Sequence, residues 1–285
     1  MLALDIRNLN KQYEHFRLKD VSFQLEKGYI MGFIGANGAG KTTTIKSILN
    51  LTHVDSGEIR IWGKNMASHE LELKQEIGSA FGDINFYTRS KIKALTNVVK
   101  SFYRNWDDET YSKYLKKFNL NENKKIAELS TGMKVKYSLA LALSHGAKLL
   151  ILDEPTSGLD PVARDNLLDT FQELVQDGEI SILFSTHITS DLEKCADYIT
   201  YIHNGQIINS SDKEQFIDTY RLLNGKHEQL DSVKNELISY KTNSFGFTGL
   251  IHTKDLDPSL DIKSTVPNLE EIMIYFSKTE DTANV

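Results

Sequence analysis

One stretch constrains this chain more than any other: YIMGFIGANGAGKTTT, residues 29–44. Ile30, Met31, Phe33 and Ile34 make a short apolar run that reads as a buried strand, and TTTIKSILN reads as a helix. Between them Gly35, Gly38 and Gly40 lead to Lys41 and Thr42, in the spacing Gly, four residues, Gly, Lys, Thr. Glycines let backbone N–H groups curl around phosphate oxygens without Cβ clashes, and a helix that starts there aims its positive end at the same anion. Lys41 supplies a point charge for β- and γ-phosphates, and the Thr42 hydroxyl is a ligand for Mg²⁺. A chance Gly-rich turn is the alternative, and the strand before and helix after speak against it.

Composition narrows what surrounds the loop. With 285 residues, the chain has room for one large domain or one domain and a small companion. Its net charge of −6 argues against a broad nucleic-acid surface, which needs a basic face. Cys195 is the single cysteine, so an intramolecular disulfide and a cysteine-rich zinc site are both excluded; a packed thiol in a helix is expected. The opening MLALDIRNLN is broken by Asp5 and Arg7 and does not read as a signal peptide, and no stretch is long enough to span a membrane as a helix. These features predict a cytosolic chain whose membrane role, if it has one, comes through a partner.

Along the chain, residues 2–9 and 18–25 alternate as strands, GEIRIWG adds another, 68–76 reads as a helix and 77–81 as an apolar strand. From about 85 to 145 helix formers dominate, with helices expected at 94–102, 107–118 and 132–143: a helical insert in an α/β domain. The α/β rhythm resumes with LLILDEP, a continuous apolar run typical of a buried parallel strand. Asp160–Pro161 starts a helix, with Asp as cap and Pro at the first helical position. ISILFSTH is another buried strand, 191–196 a helix, and 198–210 a hairpin about Asn204–Gly205. Ser211 with Glu214 predicts a capping box for a last core helix ending near Tyr220. Beyond it, Leu230, Val233, Leu237 and Tyr240 predict an amphipathic helix, FGFTGLIHT and LDIKSTV short strands, and PNLEEIMIYF a helix capped by Asn268 with Glu271.

Four further segments carry chemistry. Asp153 ends an apolar strand, where a carboxylate holds the water shell of Mg²⁺ beside a phosphate loop. Glu154 follows at once and points differently, placed to orient an attacking water. In LSTGMKVK, Ser130 and Gly132 would present a hydroxyl and backbone N–H groups at a helix start, a second anion device; an ordinary cap by Ser130 or Thr131 explains the same residues. His187, past a buried strand in FSTH, is placed either to meet a γ-phosphate or to serve structurally.

Together these segments resemble the nucleotide-binding subunits of ABC transporters, in matching order over about residues 1–220. GANGAGKTT resembles the Walker A loop, LSTGM the signature motif, LLILDEP the Walker B strand, SGLD the D-loop and STH the switch histidine. The resemblance implies an α/β fold: a P-loop NTPase core with a mostly parallel sheet, an N-terminal antiparallel β subdomain, the helical insert (about 85–145), and a small C-terminal α+β appendage at 221–285. It implies ATP and Mg²⁺ as cofactors. ATP would be bound by Gly35, Asn37, Gly38, Ala39, Gly40, Lys41, Thr42 and Thr43, with Tyr13 stacking on adenine unless it is merely a packed aromatic. Thr42 and Asp153 would face the metal, and Glu154 and His187 would act in catalysis. It also implies a membrane-spanning permease as partner, at the inner face of the membrane. A second ATP-binding subunit, identical or a paralogue, would close head to tail, so that Ser130 and Gly132 act in trans and Asp160 ties the two sites together. The permease would sense closure through residues 82–87 and the insert.

Two departures stand out. The place of the family's metal-contacting Gln reads Phe81–Gly82–Asp83, where Asp83 is an alternative oxygen donor. The signature normally ends Gly-Gly-Gln and here reads Thr131–Gly132–Met133. Both departures, with the extra C-terminal segment, resemble a Gram-positive subgroup of drug, bacteriocin and cytotoxic-peptide exporters, those of phenol-soluble modulins included. Two other readings compete: a soluble ABC-type ATPase acting on nucleic acid or ribosomes, and a non-hydrolysing partner in a heterodimer. The single module, the lack of cysteine pairs and the acidic balance argue against the first, and Glu154 with His187 against the second. A GTPase is disfavoured because no Asn-Lys-x-Asp motif occurs.

Overall fold

Alternating sequence at the start of the chain folds as an antiparallel pair, β1 (Leu2–Gln12) and β2 (Arg17–Glu26), with Leu18, Val21, Phe23 and Leu25 buried and their neighbours exposed. The computed structural model describes residues 1–81, 88–257 and 259–277. Next come β3 (Ile30–Ile34), buried along its whole length, and α1 (Lys41–Ile48). β4 (Ser56–Ile61) returns to pair antiparallel with β1 and turns at Trp62–Gly63 into the two-residue β5 (Lys64–Asn65), giving a sheet of order β2-β1-β4-β5. The helix expected at 68–76 is a single turn, α2 (Glu70–Leu73), and β6 (Ile77–Phe81) follows.

The helical insert then forms from α3 (Ile92–Lys100), α4 (Asp108–Lys117) and α5 (Thr131–Ser144). One buried hydroxyl joins all three: Thr96 Oγ1 lies 2.7 Å from Tyr111 Oη and 2.9 Å from Tyr137 Oη. After α5 come β7 (Leu149–Asp153), α6 (Pro161–Val175), β8 (Ser181–Thr186), α7 (Thr189–Cys195), β9 (Tyr198–His203) and β10 (Gln206–Asp212). Cys195 is the buried thiol expected in α7. Asn204 and Gly205 turn β9 into β10 with φ of 47° and 73°, the left-handed pair that suits a tight hairpin.

The main sheet has the order β10-β9-β3-β8-β7-β6, with β6, β7, β8, β3 and β9 parallel. Every residue of β7 and β8 is buried, as expected of parallel strands covered on both faces. The register sets Ile34 beside Thr186 and Leu152 beside Phe184, so the carboxyl ends of β3, β8 and β7 lie in a row. Ligands of open parallel sheets bind outside those ends.

The chain divides into two units, Met1–Ile208 and Asn209–Val285. The break falls before the boundary expected after Tyr220, because residues 213–225 build the second unit's own first helix and strand: α8 (Lys213–Asp218) and β11 (Tyr220–Gly225). The cap of α8 is Asp212, whose Oδ1 accepts from Gln215 N at 2.9 Å, and not the predicted Ser211. The predicted helix over 230–240 is also corrected. Helix α9 (His227–Leu230) stops after one turn, and β12 (Leu237–Asn243) begins at Leu237 because its backbone groups pair with β13 (Gly246–His252). With β14 (Lys263–Thr265) the sheet order is β12-β13-β11-β14. Leu223, Val233, Phe247 and Ile251 form one core cluster, and α10 (Leu269–Ser277) buries Leu269, Ile272, Tyr275 and Phe276. Asn268 and Glu271 cap α10 reciprocally, at 2.8 and 2.9 Å.

Candidate active site

The loop between β3 and α1 owes its shape to glycine at two positions in particular. Gly40 has φ 114°, and a Cβ there would lie 2.8 Å from Leu18 and 2.9 Å from Phe16; a Cβ on Gly35 would lie 2.4 Å from the Ile202 carbonyl oxygen. A Cβ on Gly38 would meet nothing within 4 Å, and Gly38 lines the open space above the loop. No side chain caps the N-terminus of α1, so its first N–H groups are left for another acceptor, such as an anion. Lys41 is only 6% exposed. Its Nζ donates to the Gly35 and Ala36 carbonyls at 2.7 and 3.2 Å and pairs with Glu154 Oε1 at 3.2 Å, the compensation that a buried ammonium needs.

The two carboxylates at the end of β7 are held differently. Asp153 is buried, and its two oxygens accept from Thr42 Oγ1 at 2.8 Å and from Ser185 Oγ at 2.6 Å. Glu154 leaves the strand in the left-handed region, φ 49°, which costs a residue with a Cβ about 1 kcal/mol or more. That turn swings its side chain between Lys41 and His187, with Oε2 2.9 Å from His187 Nδ1. A carboxylate only accepts, so Nδ1 carries the proton. Thr42, Lys41, Asp153, Glu154 and His187 thus meet at one place, drawn from three neighbouring strand ends.

A cavity of about 730 Å³ opens over the loop, lined by Tyr13, Phe16, Asn37, Gly38, Lys41, Thr42, Thr43, Glu154 and His187 among others. Tyr13 is 42% exposed, with Lys11 Nζ 5.3 Å from its ring centroid. Ala39 is buried and, like Gly35, shapes the loop from behind. The volume, the aromatic wall and the cationic, glycine-lined floor fit a nucleoside triphosphate. A hydroxyl and a carboxylate 2.8 Å apart, both hard oxygen donors, fit Mg²⁺, which takes one or two protein ligands and completes its shell with water and phosphate. Among the described residues no cluster of three His, Cys, Asp or Glu side chains forms a separate metal cage.

Other expected residues lie elsewhere. Ser130 is the N-cap of α5, its Oγ accepting from Met133 N at 3.3 Å, and Gly132 is buried, its α-carbon facing Leu159. Neither lines the cavity; Thr131 between them lines an adjoining space with Thr42, Asp153, Glu154 and Ser157. Asp160 caps α6, accepting from Val162 and Ala163 N–H at 3.0 Å each. Asp83 and residues 82–87 lie outside the described residues. Sequence reasoning missed Ser157, His15 and Phe16 on the cavity wall, and Ser185 and Asp191 behind it. Asp191 is fully buried, pairs with Arg164 and accepts from Thr156 Oγ1 at 2.6 Å and Thr186 Oγ1 at 3.2 Å, joining the segments on either side of the site. Its available signal was an acid in the first turn of a helix just past a buried strand.

The family model described as "ABC transporter" matches residues 18–157. The chain is 32% identical over 218 residues to the ABC transporter ATP-binding protein YtrB of Bacillus subtilis, covering 76% of this chain and 74% of that protein. It is 34% identical over 206 residues to the bacitracin transport ATP-binding protein BcrA of Bacillus licheniformis, covering 70% and 67%. A solved ATP-binding subunit of an ABC transporter superposes with a TM-score of 0.66 at 28% identity, over 75% of this chain and 91% of that one. The phosphate loop, the paired carboxylates beyond it and these relatives lead to one conclusion: the chain belongs to the ABC transporter family, as an ATP-binding subunit with the ATPase activity that powers transport.

Proposed function

We propose that this subunit drives a membrane-spanning permease at the inner face of the membrane, exporting antimicrobial or cytotoxic peptides or drugs, and that it closes head to tail with a second ATP-binding subunit when ATP is bound. The observation that carries the chemistry is the chain Lys41–Glu154–His187 at the mouth of the phosphate loop, beside the Thr42–Asp153 pair. Lys41 and the α1 N-terminus would bind the β- and γ-phosphates, and arriving phosphate would compete with Glu154 for Lys41. Released from that pair, Glu154 would accept the proton of the attacking water, and His187 would hold the carboxylate in place from the other side. Mg²⁺, when bound at Thr42 and Asp153, would neutralise charge on the phosphate oxygens. The class of cargo is supported by the similarity to two bacitracin transport ATP-binding proteins, and the outward direction by that to a Nod factor export ATP-binding protein. Dimer closure is supported by the exposed Ser130 at the start of α5, which lies outside the cavity over its own phosphate loop.

Glu154→Gln tests this reading. The variant should bind ATP with an affinity close to wild type, hydrolyse it at least about 100-fold more slowly, and elute as a dimer with ATP but as a monomer without. Hydrolysis at the wild-type rate would falsify the role of Glu154, and a monomer at saturating ATP would remove the dimer.

A further inference from the structure

Strand β8 reads SILFST, and its two serines are equally buried, at 0% exposure each. They do different work. Ser181, at the start, accepts from Gly28 N at 2.9 Å and touches nothing in the site. Ser185, at the end, accepts from the Glu154 backbone N–H at 2.9 Å and donates to Asp153 Oδ1 at 2.6 Å. A hydroxyl has one proton. The amide can only donate, so that proton is committed to Asp153, and the orientation of the hydroxyl is fixed by its two partners.

The consequence for the carboxylates is geometric. Asp153 is clamped through both oxygens, one by Thr42 from the first turn of α1 and the other by Ser185 from β8. Glu154 holds a left-handed backbone that residues with a Cβ disfavour, and the bond from its N–H to Ser185 anchors the peptide at which that turn is made. The turn aims the Glu154 side chain at Lys41 and His187 instead of along the strand. We infer that Ser185 is a positioning residue that sets the relative geometry of Asp153 and Glu154, and with it the placement of the metal's water shell and of the attacking water. The inference rests on the roles proposed above for those two carboxylates.

The test compares Ser185→Ala with Ser181→Ala in the full chain. Each variant removes one buried hydroxyl from the same strand, about 13 Å apart, so a merely structural effect should be alike in both. Three quantities are read: the thermal midpoint, kcat and KM for ATP, and the affinity for Mn²⁺ with a non-hydrolysable ATP analogue, by electron paramagnetic resonance. Ser185→Ala should lower kcat and Mn²⁺ affinity by about 10- to 100-fold, with KM within about threefold and a midpoint close to that of Ser181→Ala. Ser181→Ala should keep wild-type kcat. Ser185→Cys, of similar shape and with a weaker donor, should fall between, and it carries the same test should the alanine variant fail to fold. Wild-type kcat and Mn²⁺ affinity in the Ser185 variants, or an equal loss of kcat in Ser181→Ala, would overturn the inference. Glu154→Gln, assayed in parallel, separates the two levels: normal turnover there removes the carboxylate assignment, whereas lost turnover there with an unaffected Ser185→Ala removes Ser185 alone.

Discussion

Tyr13 shows what an exposed aromatic is for only when its surroundings are known. It stands 42% exposed on the wall of the cavity over the phosphate loop, with Lys11 beside its ring and its N–H bonded to the Phe16 carbonyl at 2.8 Å, so the ring is held while much of it stays uncovered. If it stacks on adenine, Tyr13→Ala should weaken ATP binding by about 1–2 kcal/mol, roughly 5- to 30-fold, whereas Tyr13→Phe should bind as wild type. Titration with a fluorescent ATP analogue measures both, and an alanine variant of unchanged affinity would leave Tyr13 a packed aromatic. The loop from Gly35 to Thr43 was legible in the sequence as a turn between a strand and a helix because its shape depends on spacing along the chain. Ser185 was not legible, because its partners are 31 and 32 residues away and meet it only through the β7–β8 register. The same holds for Asp191, whose partners come from α6, from the segment after β7 and from its own strand end.

Helix α5 joins two chemistries, with Ser130 at its start and His145 at its C-cap. The His145 ring is buried, stacked on Tyr103 at 3.7 Å, with Nδ1 3.0 Å from the Gln75 carbonyl, to which it donates. Burial outweighs that bond and pushes the imidazole down from 6.5 to about 4. A folded-state value below the unfolded one means that the folded form prefers the neutral ring. Its contribution is therefore complete above pH 6.5 and is lost as pH falls towards 4, by up to about 3 kcal/mol. His145→Gln keeps a donor for the Gln75 carbonyl and does not titrate. Its thermal midpoint should fall less than that of wild type between pH 6.5 and 4, and parallel curves would show that another group governs the acid limb. Reading at this scale succeeded where period and capping agreed, as in α5, α6 and α10. It failed at 230–240, where Leu230, Val233, Leu237 and Tyr240 keep helical spacing but the backbone from Leu237 onward is claimed by β13. Spacing reports which side chains want burial; it does not report which neighbour offers hydrogen bonds to the backbone.

For the whole molecule, the question is how far the two units depend on each other for folding. Every described residue assigned to the nucleotide lies in Met1–Ile208, and its core, from Ala3 and Leu4 through Phe33, Ile45 and Ile151 to Leu183 and Ile202, is drawn from that unit. The second unit has its own antiparallel sheet, its own cluster about Leu223, Val233, Phe247 and Ile251, and a capped helix with four buried residues. A fragment of residues 1–212, cut after β10 so that the strand stays whole, should therefore fold cooperatively and bind ATP within about threefold of the full chain. That tolerance amounts to about 0.7 kcal/mol, half of a tenfold change. The complementary fragment, residues 213–285, falls in the size range, about 70–80 residues and below, where a single core rarely supplies more than about 3–5 kcal/mol, so a low but cooperative thermal transition is expected of it. Calorimetry of the two fragments and of the full chain checks this. Loss of ATP binding in fragment 1–212 with its fold intact would mean that the second unit takes part in the nucleotide site. Loss of its fold would mean that the division between Ile208 and Asn209 is one of packing and not of stability.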